Sequence, residues 1–372
     1  MSRKRRRKQQ SNIGIYLLLF VIGVFAIGFV VMFLLNHNSN DKKLLEKSQK
    51  KPQNIVINKK SEDEKKNTDT SKEAEVKMTF VGDCTFSSVQ GSSEFNSYYD
   101  QKGASYFFSN VKKYFEADDK TIVNLEGGFT TSTTQRNKGD GVAYWFKAPL
   151  NYVDILTSSS VEIANVANNH ALDYEQSGLD QTRKTLDDAK VGNYGFDNVY
   201  VTDVKGIKFG FFGLAFDDKE TDIKARIDSL KKMGAEFIIA TFHDGIEKDA
   251  MPSDSQKQAA KISIDNGARL VIMHHPHVVQ GLTTYKDSLI AFSLGNFCFG
   301  GNPNPSDKDS MILQVDFKRD KEGNITYTHN VLPASITSTP GTNDYRPTVL
   351  TGSEATRVTD KINERSEGIV IS

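Results

Sequence analysis

An α/β domain built on buried sheets, carried behind a single membrane-spanning helix, is the fold class this sequence predicts. Three observations carry the prediction. Apolar, β-rich runs alternate with amphipathic helical stretches, the pattern of strands and helices packed in layers. Several of those runs stop at Asp, Glu, Asn or His, as strands do when their carboxyl ends build a site. Ahead of them all stands one unbroken apolar stretch, Ile13–Leu35.

That stretch comes first in the chain. At 1.5 Å per residue it is long enough to cross a hydrocarbon core of ~30 Å. It has no polar face to present to water, so it does not read as a core helix. The sequence after it, "NHNSNDKK", offers no small-x-small cleavage site, so it reads as an uncleaved anchor over 13–35. Arg3, Lys4, Arg5, Arg6, Arg7 and Lys8 precede it. This basic run keeps the segment 1–12 in the cytoplasm and places everything after Asn36 outside the cell. Residues 36–75 are rich in Lys, Glu, Asp, Asn and Ser and read as a polar linker. Residues 76–372 form one extracellular domain with room for a sizeable core.

The formal net charge is zero, but it is unevenly spread. Six basic groups lie in 1–8, and 9–75 holds ten basic and eight acidic ones. Of the 47 of each sign, 31 basic and 39 acidic groups remain beyond Glu75. A surface with that excess of acid argues against a nucleic-acid partner. Two cysteines, Cys84 and Cys298, are too few for a disulfide scaffold or a thiolate zinc site. Each adjoins a residue expected at the site, and both read as small buried apolar side chains rather than as a bridge.

The strands follow in order. "VKMTFVGD" ends at Asp83, "TIVNLEGG" at Glu126, "VEIANVANNH" at Asn169 and His170, "AEFIIATFHDG" at His243, and "RLVIMHHPH" at His275 and His277. Between them, "PLNYVDILTSSS" reads as a helix with Pro149 near its first turn. "SGLDQTRKTLDDAK" and "SDSQKQAAKISIDNG" are amphipathic, the second stopping at Gly267.

Five of the seven histidines fall in these strand-end motifs, three of them within His274–His277. Imidazoles are costly to bury unpaired and repel one another when protonated. An H-x-H pair on an extended segment sends both rings to one side, a way to hold a metal. Oxygen and imidazole donors in this mixture suit Mn²⁺, Fe or Zn²⁺, one or two ions.

"GD" at Gly82–Asp83, "NLE" at Asn124–Glu126, "ANNHALDY" at Ala167–Tyr174, H-x-G-x-E at His243–Glu247, "HHPHV" at His274–Val278 and "SLGNF" at Ser293–Phe297 occur in that order. Over roughly Met78–Phe299 the chain thereby resembles the CapA family of capsule or poly-γ-glutamate biosynthesis proteins, PgsA-type membrane components in bacilli. The resemblance implies the calcineurin-like metallophosphatase superfamily and its four-layer α/β/β/α sandwich. It implies that Asp83 ligates one metal, that Glu126 bridges, that Asn169, His243 and His275 complete a second metal and that His277 returns to the first. His170 would stand beside the substrate and stabilise negative charge. The sequence departs from the pattern in four places. Asp83-Cys84-Thr85 stands where the superfamily often has Asp-x-His, Ser87-Ser88 near a common Gly-Arg, and Asp244 in place of a tryptophan. His274 stands where the superfamily usually has glycine and receives no role.

Lys147 in "YWFKAP" is a further candidate to meet transition-state charge. Glu247 reads as a proton donor, a partner to His243 or a solvated loop acid. Asp173 reads as the cap of the helix after it rather than as the orienter of His170. Trp145 reads as core, and the glycine turn of "SLGNF" brings Asn296 to the site. Two functions stay open. One is a metal-dependent hydrolase of phosphoester or polymer linkages. The other is a non-catalytic polymer-binding or export subunit of a capsule synthesis complex. Either would meet an anionic capsule polymer or its lipid-linked intermediate, together with other membrane subunits of a polymer synthase.

Overall fold

The structure, a computed structural model, describes residues 73–89, 92–140, 142–216 and 220–371. The expected cytoplasmic segment, the anchor over 13–35 and the linker as far as residue 72 lie outside the described residues. Among the described residues no helix is long and apolar enough to cross a membrane. Every element below lies in one compact unit.

The strands are β1 (Ala74–Thr85), β2 (Lys120–Leu125), β3 (Gly128–Phe129), β4 (Lys147–Ala148), β5 (Ile163–Asn165), β6 (Gly192–Tyr194), β7 (Tyr200–Val204), β8 (Ile207–Ala215), β9 (Phe237–His243), β10 (Leu270–His274), β11 (Leu282–Tyr285), β12 (Ser288–Ala291), β13 (Asn296–Phe299), β14 (Asp309–Arg319), β15 (Ile325–Ser335) and β16 (Thr348–Val349). The helices are α1 (Glu94–Lys102), α2 (Lys112–Phe115), α3 (Asp154–Thr157), α4 (Glu175–Asp188), α5 (Glu220–Lys232), α6 (Asp254–Asn266) and α7 (Gly352–Ser366). β1 starts at Ala74, two residues before the expected domain boundary at 76.

Two sheets face each other. The first runs β16-β15-β14-β1-β2-β5-β6, with β13 paired to β1; the second runs β11-β12-β10-β9-β8-β7. β1, β2, β5, β6 and β13 pair in parallel, as do β8, β9, β10 and β12, while β14 to β16 and the edges β7 and β11 are antiparallel. The side-chain alternation of a strand explains the apolar runs. In β10, Leu270 and Ile272 enter the core between the sheets with Met78 and Phe80 of β1. Val271 and Met273 turn the other way, onto Ile223 and Ile227 of α5 and Ala260 and Ile264 of α6. Both faces of the strand are thus covered, and every residue of it is buried.

The helix ends follow local chemistry. α6 opens on a capping box, Ser253 with Gln256, and stops at Gly267, whose φ is +120°. The helix expected after Pro149 is instead a 3₁₀ turn, Leu150–Val153, running into the one-turn α3. "VEIANVANNH" is strand only over Ile163–Asn165, so Asn169 and His170 stand on the loop beyond it.

Candidate metal centre

The carboxyl ends of β1, β2, β5, β9 and β10 meet at one place, so both sheets contribute. A polar row lies beneath it. Asp83, Asn124 and Asn165 sit side by side on β1, β2 and β5. Asn165 Nδ2 donates to Asn124 Oδ1 at 2.7 Å, and Asn124 Nδ2 donates to Asp83 Oδ1 at 2.8 Å. Glycines make room for the row. A Cβ on Gly213 of the opposite sheet would lie 2.1 Å from Asn165 Oδ1, and one on Gly82 would lie 1.9 Å from the Gly295 carbonyl oxygen. That carbonyl accepts from Asp83 N at 3.0 Å, and Gly295 turns with a φ of +74°. The turn sets Asn296 beside Asp83 in the strand pairing, and His277 Nδ1 lies 2.9 Å from Asn296 Oδ1. Asn296 is therefore at the site, as its sequence context suggested.

Above the row, Asp83, Glu126 and His277 bring ligand atoms within 4.8 Å of one another. His277 Nδ1 is 3.4 Å from Asp83 Oδ2, and His277 Nε2 is 3.8 Å from Glu126 Oε1. His243 Nε2 approaches the same Glu126 oxygen at 3.6 Å and lies 3.1 Å from His275 Nδ1. Asn124 Nδ2, 3.1 Å from His243 Nδ1, fixes that ring. The other Glu126 oxygen accepts from Thr85 Oγ1 at 3.0 Å, so Thr85 serves the carboxylate instead of ligating.

Burial and neighbouring charges together set the protonation states. It pushes Glu126 up, against the pull of His277. It holds His243 well below the usual imidazole range, and together with the charge of His277 it takes His275 down to about 3. At Asp83 burial is outweighed by hydrogen bonds from His274 and His277, which hold the carboxyl well below its usual range. At His277 burial is outweighed by Glu126, Asp83 and Asn296, which hold the ring up to about 10.

The donor set fits a divalent cation. Glu126 Oε1 is a buried acceptor with no hydrogen-bond donor, an arrangement that a cation completes, and Asn169 Oδ1, on the loop beyond β5, is likewise buried without a donor. Carboxylates and imidazoles together, the His277 ring giving up its proton when an ion binds, are the hard-to-borderline ligands of Mn²⁺, Fe or Zn²⁺. The H-x-H pair does not reach the site along an extended strand. β10 ends at His274, and His275 and His277 have φ of +99° and +58°. Such strain in non-glycine residues gathers at functional sites.

His170 comes to the rim on its loop. Its Nδ1 lies 2.8 Å from Asp173 Oδ2, which also accepts from Phe146 N at 2.7 Å. Lys138 Nζ pairs with the other Asp173 oxygen at 2.5 Å. Asp173 is therefore no helix cap: α4 starts behind Tyr174 with no side-chain cap. The cap is overturned because a buried carboxylate takes its strongest donors wherever they converge.

Lys147 is also corrected. It shares a narrow crevice with Glu126, but its ammonium donates to the Ser132 carbonyl at 2.7 Å and lies over the Tyr174 ring. The lysine that reaches His170 is Lys138. Glu247 is exposed and is no partner of His243, whose ring nitrogens face Asn124, His275 and Glu126. Trp145 is half-buried rather than core; its Nε1 donates to the Arg136 carbonyl, and Lys138 lies over its ring. Cys84 and Cys298 are both free and buried, as read.

Sequence reasoning missed Asn165, Lys138 and the aromatic walls. Phe146 lies 4.3 Å from His170, Phe216 meets His275 edge-on at 4.6 Å, and Phe299 lies 5.1 Å from His277. Only Asn165 left a signal, two polar residues at the ends of neighbouring apolar runs.

Comparison with known proteins gives the family of the chain. The family profile described as bacterial capsule synthesis protein PGA_cap matches residues 77–301, which hold every candidate ligand. The PGA biosynthesis protein CapA of Bacillus subtilis (strain 168) is 27% identical over 266 residues, covering 64% of this chain and 69% of that protein. The capsule biosynthesis protein CapA of Bacillus anthracis is 26% identical over 285 residues, covering 70% and 67%. Among solved structures, a phosphatase of Mycoplasma pneumoniae aligns with a TM-score of 0.41 at 16% identity, covering 70% of this chain and 95% of that one. That likeness is distant, and the architecture rests on the strand order given above.

Proposed function

The chain belongs to the bacterial capsule synthesis protein PGA_cap family, and on that premise we propose a membrane-anchored, extracellular CapA-like protein of capsule or poly-γ-glutamate biosynthesis, acting as a metal-dependent hydrolase of phosphoester or polymer linkages. The observation that carries the hydrolase is Glu126 Oε1. It is buried, has no donor, and stands 3.6 Å from His243 Nε2 and 3.8 Å from His277 Nε2. Asp83, Glu126 and His277 would hold one ion, and Glu126, Asn169, His243 and His275 a second. A bound divalent ion supplies Lewis acidity and acidifies bound water.

The chain's own residues do the rest. His170, with Nδ1 on Asp173, has Nε2 left for a substrate oxygen. Asp173 and Lys138 hold the ring in place, and Phe146 covers it, while Phe216 and Phe299 cover His275 and His277. A donor so placed meets charge that develops in the transition state. The domain's acidic excess repels a polyanion in general, which leaves the metal centre as the point where an anionic polymer or a lipid-linked intermediate engages. The basic run before Ile13 supports the outward orientation.

Metal content of the purified chain, with turnover of bis(4-nitrophenyl) phosphate, tests the reading. The wild type should hold Mn, Fe or Zn, and Glu126→Gln should lose both metal and turnover. A wild type free of all three metals sinks it. A second reading draws on the two relatives, both described as biosynthesis proteins: the same centre binds polymer within a capsule synthase without turnover. Metal without turnover, and capsule assembly indifferent to His170→Ala, favours that reading.

A further inference from the structure

The segment His274–His277 carries three histidines, and the metal centre uses two of them. His274 is the last residue of β10 and lies opposite His243 in the strand pairing. It is 3% exposed. Its carbonyl accepts from Asp244 N at 3.1 Å, so its backbone is engaged. Its ring Nδ1 is buried and faces Asp83 Oδ1 at 3.4 Å. The ligand atoms that gather within 4.8 Å of one another come from Asp83, Glu126 and His277, and His274 is not in that group.

The two oxygens of Asp83 have different surroundings. Oδ1 accepts from Asn124 Nδ2 at 2.8 Å and faces His274. Oδ2 faces His275 N at 3.3 Å and His277 Nδ1 at 3.4 Å. Thr85 is turned to Glu126, which leaves Asp83 as the ligand that β1 contributes. Its orientation therefore matters more than that of a carboxylate with a neighbouring ligand on its own strand.

We propose that His274 is a positioning residue: its Nδ1–H, with Asn124 Nδ2, clamps Asp83 Oδ1 and turns Oδ2 to the first metal ion. The inference rests on the metal-centre reading and goes beyond it by giving the third histidine a role. Carboxylates that ligate metals are themselves held by hydrogen bonds, and loss of such a partner costs about 10–100-fold in metal affinity.

The test is Mn²⁺ titration of the metal-stripped full chain, followed by electron paramagnetic resonance and calorimetry. His274→Leu keeps bulk but removes the donor. His274→Asn places Nδ2 where Nδ1 stood. The leucine variant should bind its first Mn²⁺ about 10–100-fold more weakly, with an altered resonance line shape. The asparagine variant should recover most of that affinity and the wild-type line shape. Matching melting curves without metal separate this loss from unfolding. If the leucine variant does not fold, His274→Phe takes its place, as a ring without a donor. Wild-type affinity in the leucine or phenylalanine variant overturns the proposal. So does an equal loss in the asparagine variant, which would mean that ring shape rather than the donor matters. A wild type that takes up no Mn²⁺, Fe²⁺ or Zn²⁺ overturns the metal centre itself, an outcome distinct from either.

Discussion

At His170 the ring nitrogen nearest the backbone is bound to a carboxylate that is itself held by Phe146 N and Lys138. Neighbouring Asn169 instead has a buried oxygen with no donor. Two adjacent residues thus have separable roles. His170→Ala should keep its metal and lose on the order of 10²–10³ in kcat, whereas Asn169→Ala should weaken the metal. Equal metal loss in the two would make His170 a ligand. Asp173→Asn should lower kcat with little change in KM, because it alters the ring's charge partner and not the binding of the ground state. Residue types were legible here, but their partners were not. Asp173 stands three places from His170, a spacing that also suits a cap. Nothing in "YWFKAP" tells that the stem of Lys147 turns away while Lys138, nine positions earlier, turns in. Long cationic side chains have too many rotamers for spacing to place them.

Strands were the most legible elements, because burial on both faces leaves continuous apolar runs that must stop where the site begins. Turns were less so. The approach of β1 to the Gly295 turn depends on a missing Cβ, which one glycine among 27 does not announce. Gly82→Ala would press a methyl group onto the Gly295 carbonyl and should cost about 1–3 kcal/mol. Because that turn carries Asn296 to His277, metal affinity should fall too; calorimetry reads both, and an unaltered melting temperature would contradict the packing. At the other end of the sheet, Asp118 precedes β2 and accepts from Thr121 Oγ1. Burial pushes it up to about 7, against the hydrogen bonds from Thr79 and Thr121. Its folded pKa lies above its unfolded one, so its contribution is complete below about pH 4 and is lost as pH rises through about 7. Asp118→Asn should therefore melt higher than the wild type at pH 8, with the difference shrinking at pH 5. A pH-independent difference would show that the carboxyl does not titrate this way.

Across the whole molecule, the sequence was most informative where chemistry and periodicity coincide, from β1 to β13. Beyond Phe299 it was nearly silent. The antiparallel flank β14 to β16 and helix α7 end in no ligands, although α7 is tied to the sheet where Arg357 grips Asp309 with two 2.7 Å bonds. The proposed outward orientation rests on the first 35 residues and their charge. Protease added to intact, wall-stripped cells should digest the domain, and complete protection until lysis would reverse the orientation.

The row Asp83–Asn124–Asn165 has a further consequence, on the scale of ageing. Asparagine decays to aspartate most readily in mobile chain before glycine. Asn124 and Asn165 lie in strands, are fully buried, and precede Leu125 and Val166. A floor of amides built this way should deamidate far more slowly than asparagines in exposed loops, which mass spectrometry of aged protein would read. The number of negative charges at the ligands should then change little as the molecule ages.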